Sequence, residues 1–228
     1  VRISFGKRAA IGVATTIALV LAATALLWRV ADWDAPKLVR VAAVVDGDTC
    51  RFAGGARVRL AGVDAPELAH YGQPAQYYAA ESKAAFARLV RDVPVRFVAV
   101  GPGRDRFDRL LGELLLPDGT SVGERLAAEG EVFCFWFSDV PKELADRMLV
   151  AQRRAMAAGK GFWPRLLSLP APPAPYVGNA VSRRFHAPDC PDGKRISRRN
   201  RTPLPTLADA FARGFSPARD CTPWPKVR

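Results

Sequence analysis

LVRVAAVVDGDTCRFAGGARVRLAGVDAPE, residues 38–67, decides the architecture. Leu38 to Val45 is β-branched and apolar, the composition of a strand. Asp46-Gly47-Asp48 then supplies the small polar residues that turn a chain. Thr49 to Phe52 returns as a second strand, and Ala53-Gly54-Gly55 turns again. From Ala56 to Val63 the residues alternate, with Val58, Leu60 and Gly62 on one face and Arg57, Arg59 and Ala61 on the other. Three strands in meander order end at Asp64. The polar face that this alternation gives Arg59 is an awkward place for a guanidinium unless something anionic answers it.

Working outward, a helix fits Pro74 to Val90, with Ala79, Ser82, Phe86, Leu89 and Val90 near one face. Val93 to Val100 reads as a fourth strand, Gly101 to Asp108 as a charged loop, and Leu110 to Leu116 as a fifth strand ending in a Pro117-Asp118-Gly119 turn. A short helix covers Val122 to Glu129. Val132 to Phe137 is aromatic and extended. A last helix runs from Pro141 to Ala158, with Leu144, Met148, Ala151 and Ala155 in register and Gly159 as its stop. Five strands in meander order with a helix after the third predict an α+β fold: a five-stranded OB-type β-barrel with about three helices.

The flanks differ in kind. Arg2, Lys7 and Arg8 precede an uncharged apolar stretch at 9–28, AAIGVATTIALVLAATALLW. About 20 such residues suffice for a helix to cross a bilayer, and the preceding positive charges predict an N-in orientation with the remainder exported. A cleaved signal peptide is the rival reading. Its small-x-small site, Ala23-Thr24-Ala25, is followed by Leu26-Leu27-Trp28, a poor cleavage context. The expected division is 1–37 as a single transmembrane anchor or signal segment with a tether, 38–165 as the barrel domain, 166–175 as a Pro/Ala linker, and 176–228 as a small basic Cys/His tail module. The barrel domain would then be held on the exported face of the membrane, or secreted after cleavage. The net charge of +12 favours a polyanionic partner, nucleic acid or an anionic membrane surface. From Arg165 onward there are 12 Lys+Arg against 4 Asp+Glu, so most of the excess belongs to the tail and not to the barrel.

Within the barrel domain, Asp48 leaves the first turn and Asp64 ends the third strand. Two carboxylates brought together with no basic neighbour between them repel unless a cation sits there. Hard oxygen donors of this kind favour Ca²⁺. Taken alone, Asp46-Gly47-Asp48-Thr49 is a hairpin turn, and Asp46 keeps that role. Val45-Asp46-Gly47-Asp48-Thr49, Arg59-Leu60-Ala61-Gly62-Val63-Asp64-Ala65-Pro66-Glu67 and Asp105-Arg106-Phe107-Asp108-Arg109 together resemble the staphylococcal-nuclease-like (thermonuclease) family. The likeness runs from about Leu38 to Trp163 and includes the closing Gly161-Phe162-Trp163.

The resemblance implies a fold, a chemistry and a set of residues. Asp48, Asp64 and the carbonyl of Ala65 would bind Ca²⁺, at a position where the family often has Thr in place of Ala65. Glu67 would orient or deprotonate the attacking water. Arg59 and Arg109 would clamp the non-bridging oxygens of a phosphodiester; read without the family they are two ordinary salt bridges, with Glu67 or Asp108. Arg106 and Phe107 fall where the family commonly has a Lys-Tyr pair on a terminal phosphate. Trp136 is the candidate for an exposed base-stacking ring among Phe135, Trp136 and Phe137. His70 and Tyr71 read as surface. The implied activity is Ca²⁺-dependent hydrolysis of DNA, RNA or both with little sequence preference, by a monomer.

The alternative is a non-catalytic nucleic-acid-binding OB-fold module tethered to the membrane. The tail is similar to small His/Cys modules that follow some nucleases of this family and more often end in Cys-x-x-Cys, but Ala218 stands where the first of those cysteines would be. His186, Cys190 and Cys221 supply three ligands, one short of a closed structural zinc site. The reading therefore leans to a Cys190–Cys221 disulfide, with Cys50 and Cys134 as buried thiols. The basic run Lys194, Arg195, Arg198, Arg199 and Arg201 could hold DNA electrostatically or lean on anionic lipid.

Overall fold

The computed structural model describes residues 38–69, 72–137, 140–219, 221 and 224–225. The apolar stretch 9–28 and the pair His70–Tyr71 lie outside the described residues. Among those described, no helix is long and apolar enough to cross a membrane.

The barrel opens with β1 (Leu38–Val39) and β2 (Val41–Val44), consecutive pieces of one strand separated only by Arg40. β3 (Thr49–Phe52) and β4 (Arg57–Leu60) follow the two turns expected from the sequence. β5 (Val63–Asp64) is set off from β4 by Gly62, whose φ of 79° lets the chain double back. The alternation therefore ends at Leu60 and does not continue to Val63. After α1 (Ala79–Val90) come β6 (Val95–Arg104) and β7 (Leu110–Leu115).

The sheet order is β1-β6-β7-β4-β3-β2. β1 pairs with β6 while β2 pairs with β3, so residues 38–44 serve both edges and nearly close the sheet into a barrel. That is the five-stranded design read from the sequence, with one departure from meander order. β7 lies between β4 and β6, parallel to β4, with Arg59 opposite Leu111.

α1 begins five residues later than its apolar pattern, because Tyr78 takes a left-handed φ of 74°. The preceding turn is used instead to hold the loop after β5. Glu67 N donates to Gln76 Oε1 at 2.8 Å, and Gln76 N donates to the Glu67 carbonyl at 2.8 Å. α2 (Val122–Ala128) starts at Ser121, and β8 (Phe133–Cys134) pairs with β5. α3 (Lys142–Ala157) turns Leu144, Met148, Ala151 and Ala155 inward as expected, and α4 (Trp163–Leu167) follows.

The tail folds as a four-stranded sheet with two short helices. Its elements are β9 (Tyr176–Asn179), β10 (Arg184–His186), α5 (Pro191–Arg195), β11 (Arg201–Leu204), α6 (Leu207–Ala212) and β12 (Ser216–Pro217), in the sheet order β11-β9-β10-β12. Cys190 and Cys221 form a disulfide, while Cys50 and Cys134 are free and buried.

This module is poor in aliphatics but not in apolar area. Tyr176, Phe185, Phe211 and Phe215 are fully buried and share one cluster with Phe133, Phe162 and Trp163 of the barrel domain and with Leu166 just beyond it. Ring pairs such as Phe133–Phe211 and Trp163–Phe211, at 5.9 and 5.0 Å, cross between the two. Residues 38–228 consequently form one compact unit.

A buried polar side chain helps stitch the seam. Gln152 on α3 is fully buried, accepts from Cys134 N at 2.6 Å and donates to the Phe211 carbonyl at 2.6 Å. Replacing it with Leu leaves Cys134 N without this acceptor in an apolar setting, while the Phe211 carbonyl keeps the Gly214 N donor at 2.9 Å. Gln152→Leu should lose about 1–3 kcal/mol of stability, read as a lowered urea midpoint for the whole unit.

Candidate active site

The site is built around Arg59, which β4 carries between β3 and β7. The sequence pattern placed its side chain on a polar face, but the residue is only 8% exposed. Its guanidinium is anchored from several sides. Nη1 donates to the carbonyls of Leu60 and Val63 at 2.7 Å each, Nη2 to Asp64 Oδ1 at 2.9 Å, and Nε lies 3.2 Å from Asp48 Oδ1. The basic neighbour that sequence reasoning did not see between the two aspartates is thus Arg59 itself.

Asp48 is fixed from both sides, its Oδ1 accepting from Thr49 Oγ1 and its Oδ2 from Ala65 N, each at 2.9 Å. Asp46 holds the turn, as expected, by accepting from Asp48 N at 3.1 Å. The turn also needs Gly47. A Cβ there would stand 2.0 Å from Ser82 Oγ on α1 and 2.6 Å from Ala65 Cβ, so only glycine lets α1 press the two acidic loops together.

Two buried carboxylates against one buried guanidinium do not both ionise at ordinary cost. Burial raises the Asp48 carboxyl to about 8 against the pull of Arg59, with the charges of Asp46 and Asp64 adding to the rise. Burial works the same way on Asp64, but Arg59, Arg219 and Arg184 together overcome it and hold that carboxyl below its usual range. These oxygens are of the donor type a hard divalent cation takes, and each now accepts from a protein group. A different trio sits in the tail, where His186 Nδ1 lies 3.4 Å from Cys190 Sγ and 3.5 Å from Cys221 Sγ. Both of those sulfurs are engaged in the disulfide.

Arg109 closes the other wall. Asp105, not Glu67 or Asp108, is its partner, with Nη2 at 2.6 Å and Nε at 2.7 Å from Oδ2, while Nη1 reaches Thr49 Oγ1 at 3.4 Å. Thr49 therefore touches both Arg109 and Asp48. Phe107 is 62% exposed, with the Arg106 guanidinium 4.8 Å from its ring centre.

An open groove of about 810 Å³ runs along this wall, lined by Arg59, Arg106, Phe107, Arg109, Phe135 and Phe137 among others. Trp136, the expected stacking ring, is not on it. Successive side chains alternate in extended chain, so Phe135 and Phe137 face the groove while Trp136 turns away and packs against the barrel core. Two groove residues were not anticipated at all, Arg184 and Arg219 of the tail. Arg184 Nη1 lies 3.4 Å from Asp64 Oδ2, and Arg219 Nη2 lies 3.1 Å from Asp64 Oδ1 and 2.5 Å from Glu67 Oε1. No local pattern could have found them, since they meet Asp64 across 120 and 155 residues.

Residues 57–165 match the model of the staphylococcal nuclease homologues. The chain is also 32% identical over 157 residues to the succinoglycan biosynthesis protein ExoI of Rhizobium meliloti, covering 65% of this chain and 75% of that one. The chain belongs to the staphylococcal nuclease homologue family. Two fungal relatives are similar over shorter spans. The probable endonuclease LCL3 of Phaeosphaeria nodorum is 44% identical over 57 residues, 25% of this chain and 19% of that protein. Its counterpart in Botryotinia fuckeliana is 46% identical over 54 residues, 24% and 20% of the two chains. The match thus spans about a fifth of the length of each probable endonuclease.

The carboxylate pair has a measurable signature in this family member. In chelator, the raised Asp48 pKa means that the folded state binds the extra proton between about pH 4 and pH 8, so this group's contribution to stability declines as pH rises through that window. Asp64, with its lowered pKa, contributes in the opposite sense, and its share is lost on acidification. Urea midpoints at pH 5 and pH 8 should therefore differ less in Asp48→Asn than in the unmutated chain. Parallel profiles would show that Asp48 is ionised in the fold.

Proposed function

We propose that the chain is a nuclease that hydrolyses phosphodiester bonds of DNA, RNA or both, with little sequence preference and with Ca²⁺ as its metal. The observation that carries this reading is the fork of Arg59 onto both Asp48 and Asp64, at the end of a groove that Arg109 and three phenylalanines also line. A purely structural ion pair would not need an open, cationic, ring-lined groove beside it.

Asp48, Asp64 and the Ala65 carbonyl would hold the ion, which supplies positive charge to a phosphoryl oxygen. The chain's own groups account for the rest. Glu67 is pinned through its backbone to Gln76 while its side chain stays 25% exposed, within reach of a water. As general base it takes that water's proton as the water oxygen bonds to phosphorus. The bond from phosphorus to the 5′-oxygen breaks, solvent protonates the leaving oxygen, and a 3′-phosphate end remains. Arg59 and Arg109 donate to the non-bridging oxygens as charge builds in the five-coordinate state. Phe107, Phe135 and Phe137 offer ring faces to any base, and arginine contacts to phosphate carry no sequence information.

The Cys190–Cys221 disulfide supports an exported location, held at the membrane by 9–28, because such bonds persist in oxidising compartments. Degradation of single-stranded DNA by the purified chain in Ca²⁺, halted by chelator, is the first test. Glu67→Gln should lower kcat by about 10²-fold or more, and Arg109→Ala by about 10²- to 10³-fold, each with an unchanged circular dichroism spectrum. Binding that persists without cleavage under any divalent ion would favour the non-catalytic module instead.

A further inference from the structure

The tail supplies cations to the barrel's acidic centre. Asp64 faces three guanidinium groups, from Arg59, Arg184 and Arg219, at 2.9, 3.4 and 3.1 Å. Asp48 meets the Arg59 end at 3.2 Å and Glu67 the Arg219 end at 2.5 Å. Arg184 is held in place. Its Nη1 donates to the Pro217 carbonyl at 2.8 Å, its guanidinium lies 4.0 Å over the Phe135 ring, and its side chain is 23% exposed. Arg219 is on the short segment that leads to Cys221 and is tied back through Cys190. Its side chain is 52% exposed and faces the same groove as Arg59 and Arg109. A cluster of fixed guanidinium groups, open to solvent on one side and backed by rings, is the chemistry that grips a phosphate.

We infer that Arg219, backed by Arg184, is a substrate-binding residue that contacts a phosphate of the nucleic-acid strand, which makes the C-terminal module one wall of the active site. The inference rests on the nuclease reading and deepens it. Under this arrangement Arg59 and Arg109 approach the strand from the barrel, while Arg219 approaches from the tail. Its pairing with Glu67 and Asp64 keeps the fork aimed into the groove before a strand arrives.

The test is binding without cleavage. Fluorescence anisotropy of a labelled single-stranded oligonucleotide, in excess chelator and across a series of salt concentrations, gives Kd and its salt slope for the unmutated chain, Arg219→Gln and Arg219→Lys. Arg219→Gln should weaken binding about five- to tenfold at low salt and reduce the slope by about 0.7, the value of one phosphate contact on a single strand. Arg219→Lys should restore the slope while leaving part of the affinity lost, because a point charge replaces a fork. Near-UV circular dichroism and a free-thiol assay confirm that fold and disulfide are intact in each variant. An Arg219→Gln chain that binds the oligonucleotide as tightly as the unmutated one overturns the inference and leaves the nuclease reading standing. If the same variant also binds Ca²⁺ more tightly by calorimetry, Arg219 is a plug on the carboxylates and not a grip on the strand. An unmutated chain that binds no oligonucleotide removes both readings together.

Discussion

Everything at the centre of this molecule depends on one buried guanidinium. Arg59 reaches the end of its own strand through the Leu60 carbonyl, the next turn through the Val63 carbonyl, and two acidic loops through Asp48 and Asp64. Taking a guanidinium and two carboxylates out of water costs several kcal/mol per ion, and attraction within the cluster offsets that only when every donor is met. Such clusters are weak sources of stability. Once formed they fix geometry, because removing one member strands the others. The position of Asp48 relative to Asp64 is therefore set by charge satisfaction at Arg59 as much as by the barrel.

The barrel makes that satisfaction possible by bringing β3, β4 and the β5 turn to one end, with α1 pressed against Gly47 to keep the loops close. The tail then adds a second layer of constraint. Its aromatic cluster with Phe133, Phe162 and Trp163 seats β10 and β12 against the face of the barrel where β8 pairs with β5. Because β5 ends in Asp64 and β10 begins with Arg184, hydrophobic burial in one place delivers an ion pair in another. The Gln152 bridge between Cys134 and Phe211 lies along the same seam and holds its register.

The parts of this arrangement that were legible in the sequence are those coded by local chemistry. Turn residues at 46–48 and 53–55, the two-residue period through Arg57–Leu60 and the apolar register of α3 each state their conformation within a few residues. The order of the motifs then placed Asp48, Asp64, Glu67 and the two barrel arginines in one neighbourhood. What stayed hidden was decided by tertiary contact. Alternation could set the face on which Arg59 projects, but not that two aspartates would cover that face. It was also silent on the left-handed turn at Tyr78 that delays α1, where apolar residues continue without a break. For the three rings at 135–137 the same period was available and favoured Phe135 and Phe137 sharing a face, yet the period does not say which face meets the groove. Arg184 and Arg219 lie beyond any local rule. Their charge was counted as a property of a tail, and only the fold turns it into a property of the site.

That transfer of charge changes how the acidic centre should be understood. With Arg59 alone, Asp48 and Asp64 would be a pair of carboxylates sharing one cation. With Arg184 and Arg219 added, Asp64 becomes the meeting point of three cations supplied by two parts of the chain, while burial raises Asp48 against the pull of Arg59. Guanidinium groups held this close repel one another, so each keeps its place only while the carboxylates remain. The energies of the individual pairs are consequently not separable. Neutralising Asp64 would loosen all three arginines at once, while neutralising Arg219 would alter Glu67 through a direct contact and Asp48 through Asp64. A centre wired in this way responds as a unit to any anion or cation that enters it, and the unit includes residues from both ends of the described chain.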